Sequence, residues 1–175
     1  QGYISCGVVI ACCGQWTRDF AKRAGVNVPL VSVEHQYMVT EPIAGVSPNM
    51  PTLRDPDRLT YYKEEVGGLV MGGYEPNPIM WAKNGIPKGF HYQLLDSNFD
   101  HFEPIMEQAL GRVPALQTAG IKTLTNGPES FTPDGNFILG EAPELENFYV
   151  GAGFNAYRSE EHTSELQSLA YLVCR

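Results

Sequence analysis

The sequence is poor in positive charge and lacks any long apolar run. Its 175 residues include 12 Lys and Arg against 20 Asp and Glu, which gives a formal net charge of −8. A nucleic-acid-binding surface needs a basic face that displaces counterions, so this composition argues against nucleic-acid binding. The apolar runs fall well short of the roughly 18 residues that a membrane-spanning helix needs, so no membrane partner is expected.

Cysteine is also scarce, with four residues at positions 6, 12, 13 and 174. None of them forms a Cys-x-x-Cys pair, and the neighbours Cys12 and Cys13 would point to opposite faces of a strand. We interpret them as small buried residues in a reducing compartment. Paired carboxylates, a Ser–His–Asp arrangement and metal-ligand spacing are not evident either, so no metal is expected.

Neither end of the sequence has the features of a native terminus. The start, Gln1-Gly-Tyr-Ile4, has no initiating Met and no basic leader. Residues 158–168 resemble an in-frame translation of a common sequencing adapter. We therefore expect the native sequence to stop at Tyr157 and treat 158–175 as an artefactual tail.

Residues 1–27 have the pattern of half a nucleotide-binding βαβ unit. The apolar run Gly7–Cys13 is typical of a strand that is buried on both faces of a parallel sheet. Trp16 and Phe20 then recur at helical spacing, and Gly25 supplies a helix stop.

From 28 to 115 the pattern changes to that of an antiparallel sheet. Apolar and polar residues alternate along a long strand, which predicts one inward face formed by Val31, Val33, His35, Tyr37 and Val39. Two more strands are predicted at Arg58–Lys63 and Gly68–Gly73, with a turn between them. Residues 75–90 are rich in Pro and Gly and predict a loop. A helix then begins with a capping box at Asp100 and Glu103.

Residues 116–157 return to the α/β pattern. A strand is predicted at Ile121–Thr125, a turn at Thr132–Gly135 and a strand at Phe148–Val150. The next residues, Gly151-Ala-Gly-Phe-Asn-Ala156, match the loose dinucleotide fingerprint, although many plain turns match it as well. The fold class is therefore mixed α/β, with a nucleotide-binding domain interrupted by an antiparallel insertion.

Five motifs occur in the order found in one known family. They are Cys12–Phe20, Val33–Pro42, Leu59–Glu64, Gly127–Gly135 and Phe148–Ala156. Together they resemble the FAD-dependent amine oxidoreductases of the D-amino-acid-oxidase superfamily, and within it the dimethylglycine and sarcosine dehydrogenase branch. The similarity covers nearly all of 1–157 and is far more specific than any single motif.

The resemblance implies an FAD-binding domain built from 1–27 and 116–157, with an antiparallel substrate domain at 28–115. It implies cofactor contacts at Gly14, Trp16, Ala152, Gly153, Phe154, Asn155, Ala156 and Tyr157. Pro133, Asp134 and Gly135 match a turn near the flavin, and a purely structural β-turn is an equally good interpretation.

The resemblance also implies catalytic roles for His35 and Tyr61. From its strand position alone, His35 is better explained as a core histidine whose hydrogen bonds are satisfied, and the match to the family pattern reverses that preference. In the family pattern, a His–Tyr pair holds the substrate amine neutral while hydride leaves its N-methyl carbon for the flavin, giving an iminium. Tyr62 should point to the opposite face and pack in the core.

The expected substrate is a small N-methylated amine of the glycine type, and the electron acceptor is not specified. A tetrahydrofolate module downstream is possible in such proteins. Their expected location is the bacterial cytoplasm or the mitochondrial matrix. The family's first βαβ unit should precede Gln1, so we expect this chain alone to bind FAD poorly. The alternatives are a non-catalytic relative similar to the pyruvate dehydrogenase phosphatase regulatory subunit, and a stand-alone α/β binding module.

Overall fold

The computed structural model describes residues 4–156, which divide into two compact units. The first unit contains 4–33, Met80–His91 and 128–156, and the second contains Glu34–Ile79 and Tyr92–Gly127. Tyr157 and the adapter-like stretch lie outside the described residues. The assignment of these units to cofactor and substrate binding stays a prediction.

Residues 4–156 form nine β-strands, two α-helices and two short 3-10 helices. In chain order the strands are β1 (Val9–Ala11), β2 (Val31–Thr40), β3 (Leu53–Asp55), β4 (Thr60–Glu65), β5 (Gly68–Gly73), β6 (Met80–Trp81), β7 (Ile121–Phe131), β8 (Ile138–Glu141) and β9 (Phe148–Ala152). The α-helices are α1 (Thr17–Lys22) and α2 (Phe99–Arg112), and short 3-10 helices cover Gly14–Trp16 and Pro114–Gln117. Within 4–156, no helix has the length and apolar character needed to cross a membrane. The mixed α/β fold class predicted from the sequence is confirmed.

The first unit contains a sheet with the strand order β1-β9-β8. β1 runs parallel to β9, with Val9 opposite Phe148, and β8 is antiparallel to β9. Ala11, Ala21 and Val150 lie in its core. The prediction that the first strand is buried on both faces is wrong, because Ile10 is 38% exposed. β1 is an edge strand here, and only its other face packs against α1.

The second unit is an antiparallel sheet with the order β3-β4-β5-β2, and β7 also pairs with β2. β4 and β5 form the predicted hairpin. Its two turn residues, Val66 and Gly67, both have positive φ values, of 49° and 79°. This is the backbone twist that a two-residue hairpin favours.

Helix α2 covers one face of this sheet. Phe102 and Ile105 from the helix pack with Met38, Tyr62 and Met71 from the strands. The prediction that Tyr62 packs in the core is confirmed, since it is 3% exposed.

The predicted inward face of β2 is wrong for most of its length. Val33 is buried as predicted, but beyond it the buried residues are Gln36, Met38 and Thr40 of the other face, while His35 is half-buried and Tyr37 is 36% exposed. The physical reason is that the polar side chains find partners. Gln36 donates to the carbonyl of Asn98 at 3.1 Å and accepts from its N–H at 2.8 Å, and the Thr40 hydroxyl accepts from a backbone N–H. Satisfied in this way, they can be buried beneath α2.

Two local predictions around α2 also need correction. The helix begins at Phe99, and its cap is Asn98, whose side chain accepts from the N–H of His101 at 3.1 Å. No capping box forms at Asp100, because helix α2 has already begun at Phe99. The predicted loop at 75–90 contains the short strand β6, which pairs with β2 through Trp81 and Ser32.

Candidate functional site

The loops that follow β1 and β9 meet at one end of the first unit's sheet, because parallel strands present their carboxyl ends at the same edge. A cavity of about 120 Å³ lies there. Its lining residues are Cys12, Gly14, Glu129, Ser130, Leu139, Gly151, Ala152, Gly153, Phe154, Asn155 and Ala156. The structure therefore brings Gly14 together with the 152–156 loop, as the family pattern implied.

Glycine is required for steric reasons at Gly153, and Gly151 is closely packed. Gly153 has a φ of 70°, and an added Cβ would lie 2.5 Å from Cγ2 of Thr132. At Gly151 an added Cβ would approach Sγ of Cys12 to 3.1 Å. The absence of these side chains lets the cavity-lining loop pack closely against Thr132 and Cys12.

Asn155 fixes the shape of the loop from within. Its Oδ1 accepts from the N–H of Thr132 at 2.8 Å, and its Nδ2 donates to the carbonyl of Gly153 at 2.6 Å. Both Asn155 and Thr132 are buried, at 5% and 7% exposure. The φ of Asn155 is 53°, a conformation that Asn tolerates better than most residues.

The Thr132–Gly135 turn is present and leads directly to that network. Gly135 has a φ of 71° and donates its N–H to the carbonyl of Thr132 at 3.3 Å. Asn136 donates to the carboxylate of Asp134 through its backbone N–H and its side chain, and these bonds hold the pKa of Asp134 below its ordinary value. Through Thr132 the turn contacts Asn155 of the cavity-lining loop, and Asp134 itself is exposed.

One predicted cofactor residue, Trp16, does not line the cavity. Trp16 ends the 3-10 helix beside the first loop and donates its backbone N–H to the carbonyl of Cys13 at 3.1 Å. Tyr157 lies outside the described residues. Sequence reasoning missed Glu129 and Ser130, which reach the cavity from β7. Both residues belong to the Gly127–Gly135 motif, so the motif indicated this segment of the chain. Only the path of β7 shows which residues of the segment face the cavity.

The second unit brings His35 and Tyr61 to one face of its sheet, opposite the face covered by α2. In the strand register Tyr61 pairs with Gly72, and Gly72 pairs with Tyr37, so all three share a row. The Tyr61 ring lies across Gly72, where an added Cβ would overlap the Tyr61 hydroxyl. His35 lies two residues from Tyr37 on the same face of β2.

The cavity in the first unit suits a flavin. Its glycine-rich, largely apolar lining matches a planar aromatic ring, while backbone groups and the polar side chains of Glu129 and Ser130 offer hydrogen bonds at its edge. The fold and this cavity together define an α/β protein that binds a nucleotide-type cofactor.

Comparison with family models identifies the family. Residues 1–158 match the DAO model, described as FAD dependent oxidoreductase. The chain belongs to the DAO family of FAD-dependent oxidoreductases, as the five motifs predicted. The predicted cofactor, FAD, is the one in the family's description.

Several characterised proteins are similar to this chain. Mitochondrial sarcosine dehydrogenase from Mus musculus is 44% identical over 156 residues, which is 89% of this chain and 17% of that protein. The 4-methylaminobutanoate oxidase (formaldehyde-forming) of Paenarthrobacter nicotinovorans is also 44% identical, over 89% of this chain and 19% of that protein. The mitochondrial pyruvate dehydrogenase phosphatase regulatory subunit of Mus musculus is less similar, at 36% over 89% of this chain and 18% of its own length. The chain thus spans about a fifth of the length of these relatives.

A solved structure supports the same fold. The L-proline dehydrogenase from P. horikoshii superposes with a TM-score of 0.66 at 22% identity, over 93% of this chain and 40% of that one.

Proposed function

We propose that the complete protein is an FAD-dependent oxidoreductase that oxidises an N-methylated amino acid of the sarcosine type. The observation that carries the proposal is the cavity formed by Gly14 and the 151–156 loop, a glycine cradle held by Asn155 and Thr132. The substrate class rests on the relatives, since the two that are 44% identical are named for oxidising sarcosine and 4-methylaminobutanoate.

Residues of the chain divide between two tasks in this proposal. Gly14, Trp16 and the segment from Ala152 to Tyr157 hold the cofactor in the first unit. His35 and Tyr61 bind the substrate amine in the second. The amine must be unprotonated to release hydride from its methyl carbon, because its lone pair stabilises the iminium that forms. When bound, FAD supplies the hydride acceptor.

His35 and Tyr61 can serve the amine as hydrogen-bonding groups. They share a face of the sheet. On that face Gly72 has no side chain, so the Tyr61 ring can lie across β5 towards β2. We place the amine over the row that Tyr61 forms with Gly72 and Tyr37, on the face that both residues share. We assign the pair to binding and orienting the amine and to keeping it neutral.

Anaerobic titration of the complete holoprotein tests the function. Sarcosine, dimethylglycine and 4-methylaminobutanoate should reduce the flavin and so bleach its visible absorbance. Glycine should bleach it poorly. Failure of every N-methylated amine to bleach a flavin-loaded protein would contradict an enzymatic role. It would favour the regulatory alternative, for which the 36% identity with the phosphatase regulatory subunit is the supporting observation.

A further inference from the structure

Arg54 stands next to the aromatic side chains on the His35 face of the second unit. Arg54 of β3 pairs with Tyr61 of β4 in the antiparallel register, so the two side chains rise from the same face of the sheet. Helix α2 packs on the opposite face of the sheet. Arg54 is exposed.

The guanidinium of Arg54 is held by an aromatic platform. Its Cζ lies 4.6 Å from the centre of the Tyr74 ring, within the distance of a cation–π contact. The Tyr74 ring in turn meets the Tyr61 ring edge-on, with 6.0 Å between the ring centres. Arg54 and Tyr61 therefore contact the same ring from two sides.

Two acidic side chains next to Arg54 and Tyr74 in sequence, Asp55 and Glu75, are paired with other groups. Asp55 points to the opposite face, where its carboxylate lies 3.9 Å from Arg58 and 3.5 Å from Arg112. Glu75 pairs with His101 at 2.8 Å. None of the ion pairs in the part of the chain that the structure describes includes Arg54.

A guanidinium held over an aromatic ring still has N–H groups in its own plane that can donate to a ligand. That geometry suits two parallel hydrogen bonds to a carboxylate, and it is the reason why Arg and Lys are not interchangeable at such sites. Stacking also limits the rotamers of the long side chain, which reduces the entropy lost when a carboxylate binds.

We infer that Arg54, supported by Tyr74, binds the carboxylate of the amino-acid substrate and selects N-methylated amino acids over N-methylated amines without a carboxylate. The inference rests on the proposed function, because the amine end of that substrate is placed at His35 and Tyr61. Tyr61 then separates the two ends of the binding site, with the carboxylate towards Tyr74 and the amine towards β2.

The test uses the complete holoprotein and its Arg54→Met variant, which removes the charge but keeps an aliphatic chain over Tyr74. Methoxyacetate is the binding probe, because it has the carboxylate of sarcosine but an ether oxygen in place of the oxidisable amine. Its Kd, followed by the change in flavin absorbance, should rise about 10- to 100-fold, the usual loss for a charged hydrogen-bonded contact. The KM for sarcosine should rise in parallel, and Arg54→Lys should recover only part of it.

Two comparisons separate recognition from structure. N-methylethanolamine carries a hydroxyl in place of the carboxylate, so its rate of flavin reduction should be unchanged in Arg54→Met. Lys63→Met is the matched control. Lys63 lies two residues beyond Tyr61 on the same face of β4. This variant should bind methoxyacetate as the unmodified protein does.

Different outcomes overturn different claims. If sarcosine reduces the flavin but Arg54→Met binds methoxyacetate as tightly as the unmodified protein, the Arg54 inference is wrong and the proposed function stands. An equal loss with sarcosine and N-methylethanolamine would mean that Arg54 only supports the fold, and this too overturns the inference. If no N-methylated amine reduces the flavin of the unmodified protein, the proposed function fails and the inference fails with it.

Discussion

The hydrogen bonds of Asn155 should determine how firmly the cofactor loop is held. In the variant Asn155→Gly the positive φ is retained, but the N–H of Thr132 and the carbonyl of Gly153 lose their side-chain partners. A buried polar group without a partner costs about 1–3 kcal/mol, and part of the loss is offset by water. We expect the free energy of local opening to fall by roughly 2–3 kcal/mol.

The assay is hydrogen exchange measured by mass spectrometry on residues 128–136, a segment distant in sequence from the altered residue. A fall of this size lowers the protection of the segment about 30- to 150-fold, because each 1.4 kcal/mol is roughly a factor of ten in the opening equilibrium. Local opening of this kind can be measured in the complete holoprotein without unfolding it.

Asn147 provides the matched control. It also has a positive φ, of 62°, but it is exposed at the start of β9. Asn147→Gly therefore changes the same backbone preferences without removing a buried network, and protection of 128–136 should change by no more than about twofold. If both variants lower protection equally, the side-chain bonds of Asn155 do not hold the loop and the reasoning is refuted.

Three further outcomes are expected. Gly72→Ala should displace the Tyr61 ring and slow flavin reduction about 10-fold, with little change in stability. Gly73→Ala, on the other face, should collide with Ile105 of α2 and lower the free energy of unfolding in urea by about 1–3 kcal/mol. The reverse pattern would contradict the assignment of Gly72 and Gly73 to opposite faces. Tyr61→Phe should slow flavin reduction by about 10- to 100-fold without weakening FAD binding, and a loss of FAD affinity would argue against a substrate role. Burial, together with the neighbouring cysteine, raises the pKa of the Cys13 thiol. Near neutral pH iodoacetamide should therefore alkylate Cys6 before Cys13, with labelling of Cys13 increasing only as the pH is raised. Peptide mass mapping that finds Cys13 labelled first would contradict this.

The sequence predicted the elements well because their signals are local. The β4–β5 hairpin follows from alternation on either side of a short turn at Val66 and Gly67, and the Thr132–Gly135 turn follows from Pro, Asp and Gly. Such patterns depend on neighbours in the chain and on little else.

The buried face of β2 could not be predicted in the same way. Gln36 is fully buried because Asn98, far along the chain, satisfies its amide. Hydrophobic alternation assigns such a residue to the surface, since the pattern contains no information about a distant partner.

The cavity shows the same limit. Its glycines were predicted from the 151–156 motif, whereas Glu129 and Ser130 depend on how β7 passes the loop. The catalytic assignment of His35 and Tyr61 stays a prediction, although the two residues do share a sheet face.

The arrangement of the two units along the chain has a consequence for biosynthesis. The second unit is complete once Gly127 has been made, whereas β1 must wait for β9, since Val9 pairs with Phe148 near the other end of the described residues. Closing so long a loop is slow, and the antiparallel unit relies on nearer neighbours. On a ribosome the second unit is therefore expected to fold first. β1 would lack its partner β9 until the last of these residues emerges, and a chaperone that shields exposed strand edges would act during that interval.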